Sequence, residues 1–243
     1  MTDPSALPLG GRLTLLSTGE HECPYLPERT ARTSFVDPRL PVNDRLYRIL
    51  LDENFRRSGN YLYRPACPGC RACQTLRIPV MDFQPRRRHR RCLRRNAEVI
   101  ARPLPGEFRR EHYDLYARYV STRHAGGSMD DPTPQAYRAF LLADWCPTEL
   151  LELREHDRLI GVAVTDRIGD ALSAVYTFYD PRLQDRGLGM LAILRQLERA
   201  RELGCRWLYL GYWIEGCARM SYKSEYRPHD VFGPSGWLRR EPD

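Results

Sequence analysis

Lysine is nearly missing from this 243-residue chain: of 38 lysines and arginines only Lys223 is lysine. Also missing is any apolar run approaching the length of a membrane span, so no helical anchor is expected. Met1 to Thr18 carry Asp3 and one arginine, and proline and glycine break their apolar positions, which argues against a signal peptide. A soluble cytoplasmic protein is the expectation. The lysine deficit is itself informative. A bias that replaces lysine with arginine wherever either serves leaves Lys223 where arginine does not serve, unless it is a chance survivor. An ammonium is a compact, rotatable charge whose pKa moves readily on burial, whereas a guanidinium is a flat fork that stays charged.

What is present begins with a core: 42% of residues are apolar, enough for one large or two small domains. Charge is unevenly spread. Residues 1–110 hold 21 arginines against 11 acidic residues, while residues 111–243 hold 17 basic against 20 acidic. The basic half is the candidate binder of a polyanion, most commonly a nucleic acid, with an arginine-rich solvated surface as the alternative.

Residues 1–22 read as a loose leader, and Cys23 to Val36 as a turn and an extended strand. Asp44 is placed to cap a helix from Arg45 to about Phe55, with Arg56-Arg-Ser-Gly-Asn60 as its turn. Gln74 to Val80 reads as a strand. Pro103-Leu-Pro-Gly106 marks a linker. Beyond it the patterns predict helices at 107–122 and about 133–143, separated by the loop His124 to Asp131. Strands follow at 149–154, 159–167 and 171–179, then a helix at 189–203, a strand at 207–211 and a short helix at 217–222.

Three motifs carry chemistry. Cys67, Cys70 and Cys73 form a double C-x-x-C around a Pro-Gly turn, a spacing that lets thiolates converge on a metal, with Cys23 or Cys92 as a fourth ligand; free thiols in a tight turn are the alternative. Arg86, Arg87, Arg88, Arg90, Arg91, Arg94 and Arg95 crowd one stretch that would repel itself as a helix unless phosphates neutralise it. Gln184-Asp-Arg-Gly-Leu-Gly189 stands after a strand and opens a helix, where Gly187 and Gly189 permit phosphate to approach unpaired amides.

The order helix, helix, three strands, helix, strand resembles the GNAT acyltransferases, whose phosphate turn Gln184 to Gly189 matches. More specific stretches are Cys23-Pro-Tyr-Leu, Phe55-Arg-Arg-Ser-Gly, the cysteine set, Arg94-Arg-Asn96, Ser173-Ala-Val-Tyr-Thr-Phe-Tyr-Asp-Pro181, Leu210-Gly-Tyr-Trp-Ile-Glu-Gly-Cys217 and Met220-x-Tyr-Lys-x-x-Tyr-Arg-Pro228. Together, over residues 21–232, they resemble the bacterial branch of the aminoacyl-tRNA–protein transferases. The implied fold is α+β (α/β): a cysteine-containing basic α+β domain at 23–102, then a GNAT-like acyltransferase domain at 107–243.

The resemblance implies an enzyme, a leucyltransferase moving leucine from Leu-tRNA to proteins with N-terminal Asp or Glu, in the N-degron route to degradation. Arginyl transfer to the same acceptors, CoA-dependent N-acetylation and non-catalytic RNA binding are the rival readings. No cofactor is required for the chemistry beyond charged tRNA as co-substrate. Leu26 and the C-x-x-C spacing depart from the eukaryotic cysteine pattern, so zinc, an iron–sulfur cluster or no metal at Cys23, Cys67, Cys70 and Cys73 all stay open. Gly187 also stands where the family pattern suggests serine. Tyr176, Asp180, Tyr212 and Lys223 are the catalytic candidates: the tyrosines orient the amine or donate to an oxyanion unless they are core, and Asp180 takes a proton unless it merely caps a turn. Arg56, Arg57, Ser58, the arginine run, Gly187, Gly189, Glu215, Tyr222 and Arg227 are candidates for binding substrate or tRNA. Phe178, Trp213 and Ile214 are candidates for an apolar leucine pocket.

Overall fold

The computed structural model describes residues 13–123 and 132–241, so residues 1–12 and the stretch expected as a loop, His124 to Asp131, lie outside the described residues. The chain starts with β1 (Leu15–Ser17), a hairpin of β2 (His21–Glu22) and β3 (Thr30–Ala31), and β4 (Thr33–Val36). Strand β4 pairs with β1 and with β6 (Tyr61–Pro65), and β6 pairs with β5 (Arg56–Ser58), giving a small four-stranded sheet. Within the span expected as a leader, Leu15 to Ser17 belong to this sheet, paired with Val36 to Ser34.

Helix α1 (Asp44–Asp52) begins one residue earlier than its apolar stripe suggests. Asn43, not Asp44, is the cap, its Oδ1 accepting from the Leu46 amide at 2.9 Å, and Asp44 sits in the first turn where the helix dipole favours a carboxylate. The buried Tyr47, Leu50 and Leu51 of α1 pack with Val36 and Leu62 of the small sheet and with Ile168, Ala171, Trp207 and Tyr209 of a larger one.

The larger sheet takes in β7 (Gln74–Pro79), β8 (Val99–Pro105), β9 (Thr148–Glu155), β10 (Arg158–Ile168), β11 (Ala171–Tyr179), β12 (Trp207–Trp213), β13 (His229–Gly233) and β14 (Gly236–Arg240). Their spatial order is β14-β13-β7-β12-β11-β10-β9-β8, antiparallel throughout except for β11 beside β12. This sheet bears on two expectations. β7 and β8 precede the expected linker yet belong to the same sheet as the acyltransferase strands, so the division into 23–102 and 107–243 does not follow the sheet. The linker itself lies mostly inside β8: Pro103 and Pro105 are tolerated because β8 is an edge strand, with one row of its backbone groups facing no neighbouring strand among the described residues.

The helices are α2 (Arg87–Arg95), α3 (Arg110–Arg123), α4 (Pro134–Leu141) and α5 (Leu188–Glu202). Strand alternation sorts them onto two faces. Leu208 and Leu210 of β12 pack with Leu191, Leu194 and Leu197 of α5 and with Cys92 of α2. Val162, Val164 and Phe178 face the other way, against Leu115, Tyr116 and Val120 of α3 and Tyr137 and Leu141 of α4. Helix, helix, three antiparallel strands, helix, parallel strand is the acyltransferase-like order expected from the sequence. The expected helix at 217–222 is replaced by a short 3₁₀ turn, Ser221–Glu225.

Candidate active site

The one parallel pair of the sheet comes apart. β11 and β12 pair only through Ala171 to Ser173 and Trp207 to Tyr209, although β11 continues to Tyr179 and β12 to Trp213. A register shift between Tyr209 and Gly211 turns β12 away, and Gly211 takes the left-handed backbone (φ 81°) that glycine adopts at no steric cost. Divergence strips ladder partners from the facing backbone groups, and such groups are rarely left unpaired inside a protein. Two cations supply donors: Arg56 Nη2 donates to the Ala174 carbonyl at 2.7 Å, and Lys223 Nζ donates to the Tyr212 carbonyl at 2.7 Å.

Arg56 enters from β5 and is 6% exposed. Its guanidinium lies over Gly211, where a Cβ would come within 3.4 Å of Nε and Nη2. Its Nη1 is buried with no hydrogen-bond partner among the described residues. Lys223 comes from the 3₁₀ turn on the opposite side; burial, and then the Arg56 charge, pull its pKa down to about 7. The lone lysine thus sits where its proton can come off near neutral pH, which no arginine could match.

The other candidates lie in different surroundings. The Tyr212 hydroxyl donates to the carbonyls of Asn54 at 2.9 Å and Tyr63 at 3.3 Å, and burial raises its pKa well above the usual tyrosine value. Tyr176 lies among the rings of Phe140 (5.2 Å), Tyr116 and Tyr119 under α3 and α4. Phe178 and Ile214 are core, which leaves Trp213 as the partly exposed member of the apolar trio. Asp180 caps the 3₁₀ turn Pro181–Arg186, accepting from the Arg182 amide at 3.1 Å and from Arg158 and Arg182 guanidiniums at 2.5 and 2.8 Å. The Arg182 hydrogen bond above all holds its pKa far below the usual carboxylate range, so Asp180 is a poor proton acceptor at neutral pH.

Arg57, next to Arg56, is wholly internal: Nε and Nη2 clasp Asp166 at 2.6 and 2.5 Å, and both side chains are fully buried. This geometry gives Arg57 no surface for tRNA. Ser58 is half-buried at the end of β5. Glu215 is exposed after β12, and Tyr222 is 45% exposed beside Lys223, whose Nζ is 5.9 Å from the ring centroid. Arg227 donates to the carbonyls of Ser224 and Glu241; with the turn ending at Glu225, it does not share a helix face with Lys223.

The arginine run does form a helix, and α2 bridges the two sides of the site. Arg88 pairs with Glu225 and His89 stacks on Tyr226 at 4.9 Å, tying α2 to the turn that carries Lys223. At its other end Asn96 donates to the Arg186 carbonyl at 3.0 Å, Cys92 to the Gly187 carbonyl at 3.6 Å, and Arg95 to the Asp185 carbonyl. Gly187 is left-handed (φ 70°) at the start of α5, and Gly189 lies in the first turn against Tyr179. The helix therefore packs on the Gln184 to Gly189 turn. At its start Arg90 donates to the Pro85 carbonyl, and the Arg86 backbone amide donates to His89 Nδ1 at 3.1 Å. Arg87, Arg91 and Arg94 are exposed at i, i+4 and i+7, a cationic stripe on one face.

The cysteines are free thiols. Cys67 Sγ donates to the Arg32 carbonyl at 3.6 Å, Cys23 Sγ accepts from the Leu26 amide at 3.5 Å, and burial, then the neighbouring Cys67, Cys23, Cys70 and Cys217, push Cys73 up to about 12. Among the described residues no three His, Cys, Asp or Glu side chains are arranged to hold a metal ion. Cys23, Cys67 and Cys70 lie near enough to Cys73 to raise its pKa, and no step of the reaction is routed through a metal.

Sequence patterns missed Asp166 and Asn54. Asp166 ends a run of eight buried positions in β10, Leu159 to Asp166, and an acid after so apolar a run is the signal for a buried cation. Asn54 has a positive φ of 67°, accepts from the Thr75 amide and hydroxyl and donates to the Cys73 carbonyl, fixing the backbone around Tyr212.

Known proteins resemble this chain throughout. The model of the arginine-tRNA-protein transferase N terminus matches residues 21–91, and that of the C terminus matches residues 111–233. An aspartate/glutamate leucyltransferase of Alkalilimnicola ehrlichii is 54% identical over 93% of this chain and 95% of its own length. One from Halorhodospira halophila is 53% identical over 95% and 98%. Among solved structures, L-PGS from Bacillus licheniformis superposes with a TM-score of 0.50 at 10% identity, covering 81% of this chain and 65% of that one, a likeness of fold alone. With both halves matched and relatives of this identity over nearly the full length, the chain belongs to the arginine-tRNA-protein transferase family.

Proposed function

We propose that the chain is an aminoacyltransferase that moves leucine from Leu-tRNA to the N-terminal α-amine of proteins beginning with Asp or Glu, marking them for N-degron degradation in the cytoplasm. The observation that carries this reading is Lys223, a half-buried amine bonded to the Tyr212 carbonyl at the strand divergence beside a basic helix, with a pKa pulled down to about 7. The relatives' names supply leucine and the acidic acceptors.

The donor is an activated ester, so alignment of amine and ester supplies much of the rate. The acceptor α-amine, with a pKa of about 8, is partly neutral at cytoplasmic pH. It attacks the leucyl carbonyl carbon; the new C–N bond forms as the C–O bond to the terminal ribose breaks. Neutral Lys223, held by the Tyr212 carbonyl, takes the proton from the attacking nitrogen and returns it to the departing ribose oxygen. Arg87, Arg91 and Arg94 meet the tRNA backbone, and Trp213 lines the leucine side chain. Tyr212 and Asp180 hold the frame rather than exchange protons.

The test is transfer of labelled leucine from charged tRNA to an Asp-initiated peptide, with arginyl-tRNA as the competing donor. Leucine transfer without arginine transfer is expected. Arginine transfer would replace the donor, and acetyl-CoA binding by calorimetry with no leucine transfer would replace the reaction.

A further inference from the structure

Two adjacent arginines of β5 differ in one respect. Arg57 is buried with its counter-ion, clasped by Asp166. Among the described residues Arg56 is buried without one: its acceptor is the neutral Ala174 carbonyl, its Nη1 has no partner, and the nearby charge that perturbs Lys223 is Arg56 itself, cation against cation. Holding a guanidinium in the interior without an opposing charge carries a large desolvation cost. Such a cost persists where an anion from outside completes the site.

We propose that Arg56 is the receptor for the side-chain carboxylate of the acceptor's N-terminal Asp or Glu, and so determines acceptor specificity. This rests on the leucyl-transfer reading. Three anions could reach the strand divergence during that reaction. The tRNA phosphates are served by the exposed stripe of Arg87, Arg91 and Arg94 on α2 and do not need a buried donor. The carbonyl oxyanion exists only during the reaction and cannot neutralise Arg56 in the resting complex. A carboxylate is permanent, flat, and matched to the guanidinium fork. Because Arg56 approaches Lys223 across the divergence, a carboxylate on Arg56 places the acceptor's own α-amine beside the lysine that takes its proton. An amide side chain offers Arg56 no charge and leaves the cation uncompensated, so Asn and Gln termini are rejected by the same atom that accepts Asp and Glu.

The experiment measures kcat/KM for Asp- and Asn-initiated peptides of otherwise identical sequence, at saturating Leu-tRNA, in the wild type, R56Q and R56K. The wild type is expected to favour Asp by on the order of 100-fold, and R56Q to bring that ratio to about one, chiefly by raising the KM for the Asp peptide. R56K, which keeps the charge and is the milder change should R56Q not fold, is expected to retain a preference for Asp with a reduced ratio. An unchanged Asp-to-Asn ratio in either folded variant would overturn the assignment. A wild type that transfers leucine to neither peptide overturns the underlying reading and this one with it; transfer with an unaltered ratio in the variants overturns this one alone.

Discussion

Arg57 and Asp166 form a bidentate ion pair with both side chains fully buried, joining β5 of the small sheet to β10 of the large one. Thr148 Oγ1 donates to Asp166 at 2.9 Å, and Arg57 also reaches the Leu141 carbonyl at 3.0 Å, so the pair fixes α4 and β9 as well. Asp166→Asn strands a buried guanidinium. It is expected to lower unfolding free energy by about 3–5 kcal/mol in urea titrations, whereas replacing both residues with apolar ones of similar volume should cost much less. Equal losses in the two variants would mean that the pair itself, rather than the unpaired charge, sets the cost.

Lys223 gives a pH signature. Its proton must be off for it to accept another, so kcat is expected to rise with pH through about 7 and then level, and Lys223→Arg should lose the rise and on the order of 100-fold in kcat with folding intact. Stability carries the complementary sign. The folded-state pKa lies below the ordinary lysine value of 10.5, so between about 7 and 10.5 the unfolded chain binds more protons and stability rises with pH. Urea titrations at pH 7 and pH 9 should show the wild type gaining on Lys223→Met as pH increases. A difference that is flat with pH would mean that Lys223 is not perturbed.

The outline of the site was readable because its pieces are local. β11 matches its expected bounds, 171–179, since the turn residues Gly169-Asp170 and Asp180-Pro181 punctuate a strand-prone run, and the scarcity of lysine singled out residue 223. What escaped is what depends on pairing across long separations. Arg56-Arg-Ser-Gly reads as a polar turn until β5 is seen packed under the large sheet, where one arginine meets Asp166 and the other the end of the β11–β12 pairing. Pro103 and Pro105 read as a linker because proline marks loops, and only the sheet order reveals an edge strand. Asp180 read equally as base or cap; Arg158, distant in sequence, settles its surroundings.

The exposed stripe on α2 predicts salt dependence. Replacing Arg87, Arg91 and Arg94 with Gln should weaken Leu-tRNA binding at low salt and reduce the slope of log K against log salt by roughly one for each phosphate no longer neutralised. At saturating tRNA the rate of leucine transfer should stay near that of the wild type, because none of the three touches the strand divergence. Filter binding across a salt series checks the first point and single-turnover transfer the second; an unchanged slope would move the tRNA path off α2.

Asp180 separates frame from chemistry. As a cap held by two guanidiniums it stabilises the start of the turn that leads to Gly187, and its folded-state pKa lies below the ordinary aspartate value of 3.8. The unfolded chain therefore binds the proton more readily, so the contribution of Asp180 is fully present above pH about 4 and is lost as pH falls through the folded-state value. Asp180→Asn is expected to cost about 1–3 kcal/mol at pH 7, through the weakened cap and the two arginines left short of a partner, with the difference from the wild type shrinking toward pH 2. Its leucine transfer should keep the same pH dependence as the wild type near neutrality, since that limb belongs to Lys223. Loss of the limb in Asp180→Asn, with the fold intact by near-UV circular dichroism, would instead give Asp180 the proton.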